Sequence, residues 1–545
     1  MPGMATGGTG KGPISHADGA VVENSFGYCQ TGFFWYDRYL IRSENQSEVI
    51  PFASQGKAGL AKEGESFMDI PLQQDLSSET VSPERHGRAL WSWILFPGIA
   101  VMLGWGLRGY IGGGPFAAMI PGAFLAMSLS LLLGHGRKTA ALVALFGAVG
   151  IGYGGEMTYG QTLGLACNPD TMSWGLLGTT VKGAIWGLLG GAVLGAGLTS
   201  GQYSKRSLLL AFLLTLVSFF VGWKLINEPR LIYFSDPVNS PRDESWAGLL
   251  FSAVAFLAFL YGRGDAVLRR VPLRFALWGA LGGGIGFGGG TLFLVYGPEL
   301  PVPQAWFGWW KAMEFFFGLL LGAALGFCAW RNRDLLKQAS AVEIRDISSL
   351  PHIVGLVALV VVFFLAFPAL ERFLDVGGEG PSGSAEILAY NLLRPLYTFV
   401  FFGAVCVALG LYSAAAAWQT AITITFFHVV YDFNRNMPAT LNLEAPLWLQ
   451  GVILAVASVS LGAYVLWRRN RPGAVASLYK VLLWACFIMA TVKSFVRAEV
   501  IHNGPGEIFR HPSTLTMYAT FVVTAVITAW YIRKLSGPEV PEEEP

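Results

Sequence analysis

Long apolar runs recur along the chain from residue 91 to residue 533, and short polar connections separate them. A helix needs about 20 mostly apolar residues to cross a bilayer. The pattern therefore predicts about fourteen membrane-spanning helices, of which one or two could be re-entrant. The predicted segments are residues 91–111, 115–134, 139–165, 173–198, 206–226, 245–262, 272–296, 306–330, 351–371, 388–411, 413–432, 446–467, 475–497 and 513–533.

Basic residues fall on alternate connections between these segments, for example at Arg137/Lys138, Lys205/Arg206 and Arg468/Arg469. The intervening connections, such as "CNPDT", are nearly free of Lys and Arg. Because short cytoplasmic loops are enriched in Lys and Arg, the alternation predicts a multi-pass inner-membrane protein with both termini in the cytoplasm. Residues 1–88 are polar and predict a largely disordered cytoplasmic tail, and residues 536–545 predict a short acidic one.

Two stretches in the first part of the chain each resemble a later stretch. "GAVGIGYGGEMTYG" (147–160) resembles "GALGGGIGFGGGTLF" (279–293), and "GLLGGAVLGAG" (187–197) resembles "GLLLGAALGFC" (318–328). The resemblance predicts a duplicated four-helix unit, with residues 89–200 as its first copy and 201–335 as its second. A unit with an even number of helices inserts twice in the same orientation, which predicts a parallel repeat. Residues 346–535 would form a further six-helix region.

Composition agrees with an all-α integral membrane protein. The chain is 53% hydrophobic and only 13% charged, whereas soluble domains carry about 25% charged residues. The net charge of +2 gives no reason to expect a nucleic-acid partner. The five cysteines show no metal-ligand spacing, so we expect neither a metal nor another cofactor. The expected partners are the lipid bilayer, a small-molecule or ion substrate and, as an option, further copies of the chain.

Glycines recur at four-residue spacing in several predicted helices, and this spacing predicts smooth faces for close helix packing. Such stripes are Gly183, Gly187, Gly191 and Gly195; Gly282, Gly286 and Gly290; Gly318, Gly322 and Gly326; and Gly152, Gly160 and Gly164. Two carboxylates interrupt the pattern. Glu156 fills the missing step of the last stripe, and Glu314 precedes Gly318 by one step. Both carboxylates should therefore face protein rather than lipid.

Helix geometry places several charges at one depth. With a rise of 1.5 Å per residue, Glu156 and Lys182 both lie roughly 13 Å below the outer surface. Five residues would form a charged layer in the outer half of the membrane: Arg108, Glu156, Lys182, Lys311 and Glu314. The nearby Tyr159 and Gln161 are consistent with a polar pocket. Charges inside a membrane are costly and mark candidate binding sites. The structural alternative is that Glu156 and Lys182 form an ion pair that holds a hairpin together.

A second polar cluster is predicted near the outer ends of the C-terminal helices. His428 and Asp432 are one helical turn apart, as are Lys493 and Arg497, and Arg394 lies near the outer end of the segment 388–411. His428 and Asp432 could act as a general base and the group that orients it, or supply two metal ligands, which are too few for a metal site. The alternative is that these side chains only extend to the membrane interface and cap helix ends.

Three functions remain open at this point. The first is a secondary transporter that moves a small or anionic solute, with ion or proton coupling through Glu156 and Glu314 and with Arg108 or Lys182 binding an anionic group. The second is a membrane-embedded enzyme that acts on a lipid-linked or periplasmic substrate through the second cluster. The third is a non-catalytic subunit of a membrane complex, in which the glycine stripes only pack helices.

Overall fold

A computed structural model describes residues 89–111, 113–237, 244–339, 395–427 and 447–536. All the regular structure within these ranges is helical. The predicted tail 1–88, the predicted span 351–371 and nearly all of the predicted acidic tail 536–545 lie outside the described residues.

The bounds of the described helices are as follows. They are α1 (Leu90–Ile111), α2 (Gly114–Leu133), α3 (Arg137–Tyr153), α4 (Gly160–Cys167), α5 (Met172–Leu198), α6 (Lys205–Gly222), α7 (Trp246–Tyr261), α8 (Arg270–Tyr296), α9 (Trp309–Arg331), α10 (Arg333–Gln338), α11 (Tyr397–Tyr412), α12 (Ala414–Phe427), α13 (Leu447–Arg468), α14 (Ala474–Arg497), α15 (Val500–Asn503) and α16 (Pro512–Leu535).

Nine helices of the described part are long and apolar enough to cross a membrane. Shorter apolar helices are α7, α11, α12 and the apolar part of α13, Ala455–Arg468. The chain therefore has the fold of a helical membrane protein. The full number of fourteen crossings stays a prediction, as do the compartment and the orientation of the termini.

Six helices form a ring in which each packs against the next and the last returns to the first. Their order around the ring is α1, α2, α3, α5, α8 and α9. The hairpin of α6 and α7 packs outside the ring beside α5, and α14 and α16 pack outside it beside α1. The ring therefore combines helices from both predicted four-helix units.

Glycine stripes form three of the contacts in this ring, as their spacing predicts. On α5, Gly187 packs directly on the backbone of Gly279 of α8, and a Cβ atom at Gly195 would lie 2.7 Å from the Pro272 Cα. Successive contacts run in opposite directions along the chain, so α5 and α8 are antiparallel. Close backbone approach of this kind lets van der Waals packing stabilise helix pairs in lipid.

The other two stripes extend the same packing around the ring. A Cβ atom at Gly282 would lie 2.8 Å from the Leu320 carbonyl oxygen, so the stripe on α8 faces α9. A Cβ atom at Gly318 would lie 2.7 Å from the Val101 carbonyl oxygen, so the stripe on α9 faces α1.

The two predicted units use their equivalent stripes differently. The stripe of α5 packs against α8, whereas the stripe of α9, its counterpart in the repeat, packs against α1. A parallel two-fold repeat would give the two stripes equivalent partners. The duplication therefore remains a prediction from sequence similarity.

One end of the bundle joins connections that were predicted to share a side of the membrane. Arg137, at the start of α3, donates a hydrogen bond at 2.8 Å to the carbonyl of Asn470, which lies between α13 and α14. The opposite end, where α3 ends and α5 begins, contains the charged layer. We call it the outer end, following the orientation predicted from charge.

Candidate functional site

The segment 139–165, predicted as one continuous helix, is broken. The helix α3 ends at Tyr153, a single 3₁₀ turn covers Gly154–Glu156, Met157 is extended, and α4 begins only at Gly160. We call residues 154–159 the break. Two glycines permit it, because a Cβ atom at Gly154 would overlap Trp186 and one at Gly155 would come within about 2.5 Å of Gly114 and Pro115.

Side chains from other helices bind the carbonyl groups that the break releases. Trp186 Nε1 donates to the Ile151 carbonyl at 2.8 Å, and Ser245 Oγ donates to the Glu156 carbonyl at 2.9 Å. Lys182 Nζ donates to the Thr158 carbonyl at 2.8 Å. Non-helical backbone is tolerated at membrane depth only where protein or water satisfies its polar groups. These three donors therefore stabilise the break.

Glu156 lies at the end of the 3₁₀ turn and is buried, with only 5% of its surface exposed. Its carboxylate accepts a hydrogen bond from Thr398 Oγ1 of α11. The expectation that Glu156 faces protein rather than lipid is confirmed. Thr398 was not among the predicted site residues, because a threonine in an apolar helix gives no signal of its partner.

Lys182 forms a buried ion pair with Glu244, with 2.7 Å between Nζ and Oε1. Glu244 also accepts hydrogen bonds from the Phe234 backbone N–H at 3.0 Å and from Ser235 Oγ at 2.9 Å. The ion pair of Lys182 with Glu156 stays a prediction, and the carboxylate that the described structure pairs with Lys182 is Glu244. Glu244 lies in a polar connection just before α7, where the sequence suggests a solvated loop charge. Only the fold brings it to Lys182.

Glu314 is also buried, with 1% of its surface exposed, so it faces protein as the stripe on α9 predicts. Its carboxylate pairs with Lys311 Nζ and accepts a hydrogen bond from Trp310 Nε1 at 3.1 Å. A Cβ atom at Gly109 would overlap the carboxylate. Gly109 itself is exposed, so the Glu314 carboxylate lies beneath an accessible stretch of α1 backbone.

Arg108 has different surroundings from the other buried charges. Its guanidinium lies 5.7, 5.5 and 5.3 Å from the ring centres of Trp105, Tyr159 and Trp186. Nη1 donates to the Tyr159 hydroxyl at 2.5 Å, and the buried Nε has no hydrogen-bond partner. Only 4% of the side chain is exposed. Among the residues described, no carboxylate forms an ion pair with it. Cation–π contacts partly compensate a buried guanidinium, but an anion would complete its surroundings.

An aromatic cluster fills the centre of the ring beneath Arg108. Trp105 meets Trp186 and Phe317 edge to face at 4.8 and 4.3 Å, and Phe287 stacks on Phe317 at 5.0 Å. These four side chains come from α1, α5, α8 and α9, and we call them the aromatic plug. Tyr159 of the break packs against Phe287 at 5.2 Å.

Two residues of the second predicted cluster join the charged layer. The charged groups of Lys311, Lys493 and Arg497 lie 5.7, 5.5 and 5.9 Å from the ring centre of Tyr110. The two clusters were predicted to be separate because α9 and α14 are far apart along the chain. His428, Asp432 and Arg394 lie outside the described residues, so the proposed base and its partners stay predictions.

Of the remaining predicted features, only the glycine stripe at Gly164 differs from expectation. Gln161 lies on α4 and is half-buried. Gly164, predicted as part of a packing stripe, has nothing within 4 Å of its Cβ position, so this stripe does not reach a neighbouring helix there. Across the described ranges, no three His, Cys, Asp or Glu side chains are close enough to hold a metal ion.

Compared with known proteins, the chain matches no family model, no curated protein and no solved structure. Its function must therefore be inferred from the geometry and chemistry of its own residues.

Proposed function

We propose that this protein is a secondary transporter that moves a small anionic solute with proton or ion coupling. The observation that supports the proposal is the break at residues 154–159, which buries the Glu156 carboxylate against Thr398 and brings the Tyr159 hydroxyl to Arg108. Interrupted helices form the substrate sites of many secondary transporters, because their released backbone groups and helix ends can contact solute and ion.

The charges have distinct roles in this proposal. Arg108 binds the anionic group of the solute, because it is buried and its Nε has no partner. Glu156 and Glu314 bind the coupling ion or proton. Lys182 supports the break and does not bind the solute. Its hydrogen bonds are already accepted by Glu244, the Thr158 carbonyl and Thr162 Oγ1.

Alternating access requires a barrier that can open, and the aromatic plug is the candidate. It lies on the inner side of Arg108 and contains one residue from each of four helices. A relative movement of α5 against α9 would separate Trp186 from Phe317, whose rings are now 6.0 Å apart. The described conformation then corresponds to one that is closed toward the inner end.

Transport can be tested with purified protein in liposomes that contain a pH-sensitive dye. Outward or inward gradients of chloride, nitrate, sulfate, phosphate and methanesulfonate are imposed in turn. We expect at least one anion gradient to drive proton movement with the wild-type protein, and Glu156→Gln and Glu314→Gln each to reduce it more than about tenfold.

The matched control is Glu228→Gln. Glu228 is also paired with a lysine at the outer end, but both side chains are exposed, so its loss should leave transport unchanged. The proposed mechanism is wrong if Glu156→Gln and Glu314→Gln both transport as the wild type does.

A further inference from the structure

We propose that Glu314 and an oxyanion compete for the same cations, so that each anion binds together with one proton that neutralises Glu314. This inference rests on the proposed transport function and specifies its solute as an oxyanion and its coupling ion as a proton. It follows from an unequal distribution of charge at the outer end of α1 and α9.

The first observation is the excess of cations around a single carboxylate. Lys311 pairs with Glu314, and both Arg108 and Arg497 lie close enough to Lys311 to repel its charge. Arg497 and Lys311 lie 5.9 and 5.7 Å from the ring centre of Tyr110. Several cations that share one carboxylate favour the addition of a second negative charge.

The second observation is that no carboxylate of the described residues pairs with Arg108. Its Nε is buried with no hydrogen-bond partner, and its only polar contact in the described structure is with the Tyr159 hydroxyl. Guanidinium donors suit the paired oxygens of carboxylates, sulfonates and phosphates. An oxyanion between Arg108 and Lys311 would satisfy this donor. Because the space beside Lys311 is filled by Glu314, the anion must share Lys311 with it or displace it.

The third observation concerns the groups that face Glu314. On its own helix they are Lys311 and Trp310, and from α1 Gly109 lies against the carboxylate. The neighbours of Gly109, Arg108 and Tyr110, both lie close to Lys311. The break contributes Tyr159, whose ring stacks on Trp310 at 6.2 Å. From α14, Lys493 and Arg497 approach the Tyr110 ring, while α8 approaches α9 here through Gly290 and α16 through Phe521. Among the described residues of this cluster, only Glu314 carries a carboxyl group.

Two negative charges side by side in a buried site repel each other strongly, because the local dielectric is low. Protonation of Glu314 removes that repulsion and releases Lys311 for the anion. The proton comes from solvent through the exposed Gly109 region and binds to a carboxylate oxygen of Glu314. It returns to solvent when the anion leaves. Anion and proton binding are therefore reciprocally linked.

The test uses methanesulfonate, an oxyanion that stays ionised from about pH 4.5 to pH 8. Full-length protein in phosphatidylcholine nanodiscs is titrated, and binding is followed by tryptophan fluorescence, since Trp105, Trp186 and Trp310 surround the site. We expect the dissociation constant of the wild type to rise as pH increases, by up to about tenfold per pH unit, because one proton is bound with each anion.

Glu314→Gln should bind methanesulfonate with the same dissociation constant at every pH, at least as tightly as the wild type at its lowest pH. Arg108→Gln should weaken binding more than about tenfold at every pH. Glu228→Gln, the exposed lysine-paired control, should follow the wild-type profile. A wild-type dissociation constant that does not change with pH, or no binding at about pH 5, would overturn the inference.

A second measurement uses only the wild type and so does not depend on the folding of a variant. In weakly buffered solution with an indicator dye, binding should take up about one proton per anion. No proton uptake would overturn the inference and leave anion transport standing. Proton-linked binding without flux in liposomes would instead contradict the transport function and leave the binding site standing.

Discussion

Residues 152–158 and 286–292 have similar sequences and opposite structures. The first stretch leaves the helix after Tyr153, whereas the second stays helical throughout α8. The difference lies in their neighbours. In α8, Gly286 and Gly290 lie against the backbone of α9, with Cβ distances of 3.1 Å to Phe317 O and 2.9 Å to Met313 O. The break is instead surrounded by Trp186, Ser245 and Lys182, whose side chains bind its free carbonyls.

The comparison shows that a glycine-rich sequence allows either structure. Glycine lowers the cost of leaving the helix and also lets two helices approach closely. The surrounding side chains decide between these outcomes, because a released carbonyl in the membrane needs a donor. The same difference separates a packing interface from a site that can hold a charge.

The largest effect is expected where an unbroken helix packs on glycine. Gly187→Leu would place a side chain against the Gly279 backbone, with no flexible group able to move aside. We expect a loss of more than about 4 kcal/mol of stability, seen as loss of folded protein in detergent. The control is Gly164→Ala, which has open space around it and should change stability by less than about 1 kcal/mol. Equal tolerance at the two positions would contradict the packing described for α5 and α8.

The next effect tests the donor that holds the break. Lys182→Met leaves Glu244 buried and removes the bond to the Thr158 carbonyl. We expect a loss of about 3–5 kcal/mol in the free energy of unfolding, because one member of a buried pair is left alone. The double variant Lys182→Met/Glu244→Gln should recover part of this loss. If the two substitutions are instead additive, Glu244 is not the energetic partner of Lys182.

A smaller effect is expected from the indole that binds the end of α3. Trp186→Phe keeps most of the ring that packs against Trp105 but removes the donor to the Ile151 carbonyl. We expect a loss of about 1–3 kcal/mol. Trp278→Phe is the comparison in α8, where the ring packs on Phe327 at the protein surface and should matter less. Hydrogen exchange of residues 154–159 should increase in Trp186→Phe only.

The smallest effect on stability is expected at the other end of α3, just before the helix begins at Arg137. Burial lowers the pKa of His135 to about 4, below the usual value of 6.5, so this half-buried side chain is neutral near pH 7. The unfolded chain binds a proton below about pH 6.5 and the folded one does not, so stability falls as pH decreases through this range. After allowing for partial exposure, we expect a loss of about 1 kcal/mol by about pH 5.

Thermal unfolding of wild type and His135→Gln in detergent between about pH 7 and pH 5 checks this expectation. The variant should lose less stability than the wild type over that range. A parallel decline in the two proteins would show that His135 does not titrate with unfolding.

Four-residue glycine spacing was enough to predict that the stripes of α5, α8 and α9 face other helices, because this spacing repeats on one helix face. The same reasoning placed Glu314 on a face that meets protein, and its burial confirms this. Glu156 was placed correctly as a buried group, but the interruption of its helix was not predicted. The donors to its carbonyls come from α5 and from the start of α7, far away in the chain.

Hydrophobicity and helix period are local properties, so the order of residues was enough to predict the class of the protein, most helical segments and the residues that carry buried charge. Which charges meet depends on the packing of distant helices. That packing paired Lys182 with Glu244, brought Lys311 and Arg497 to the same ring of Tyr110, and surrounded Arg108 with aromatic rings and, among the described residues, no carboxylate. The physical reason is that the energy of a buried charge depends on neighbours supplied by distant parts of the chain.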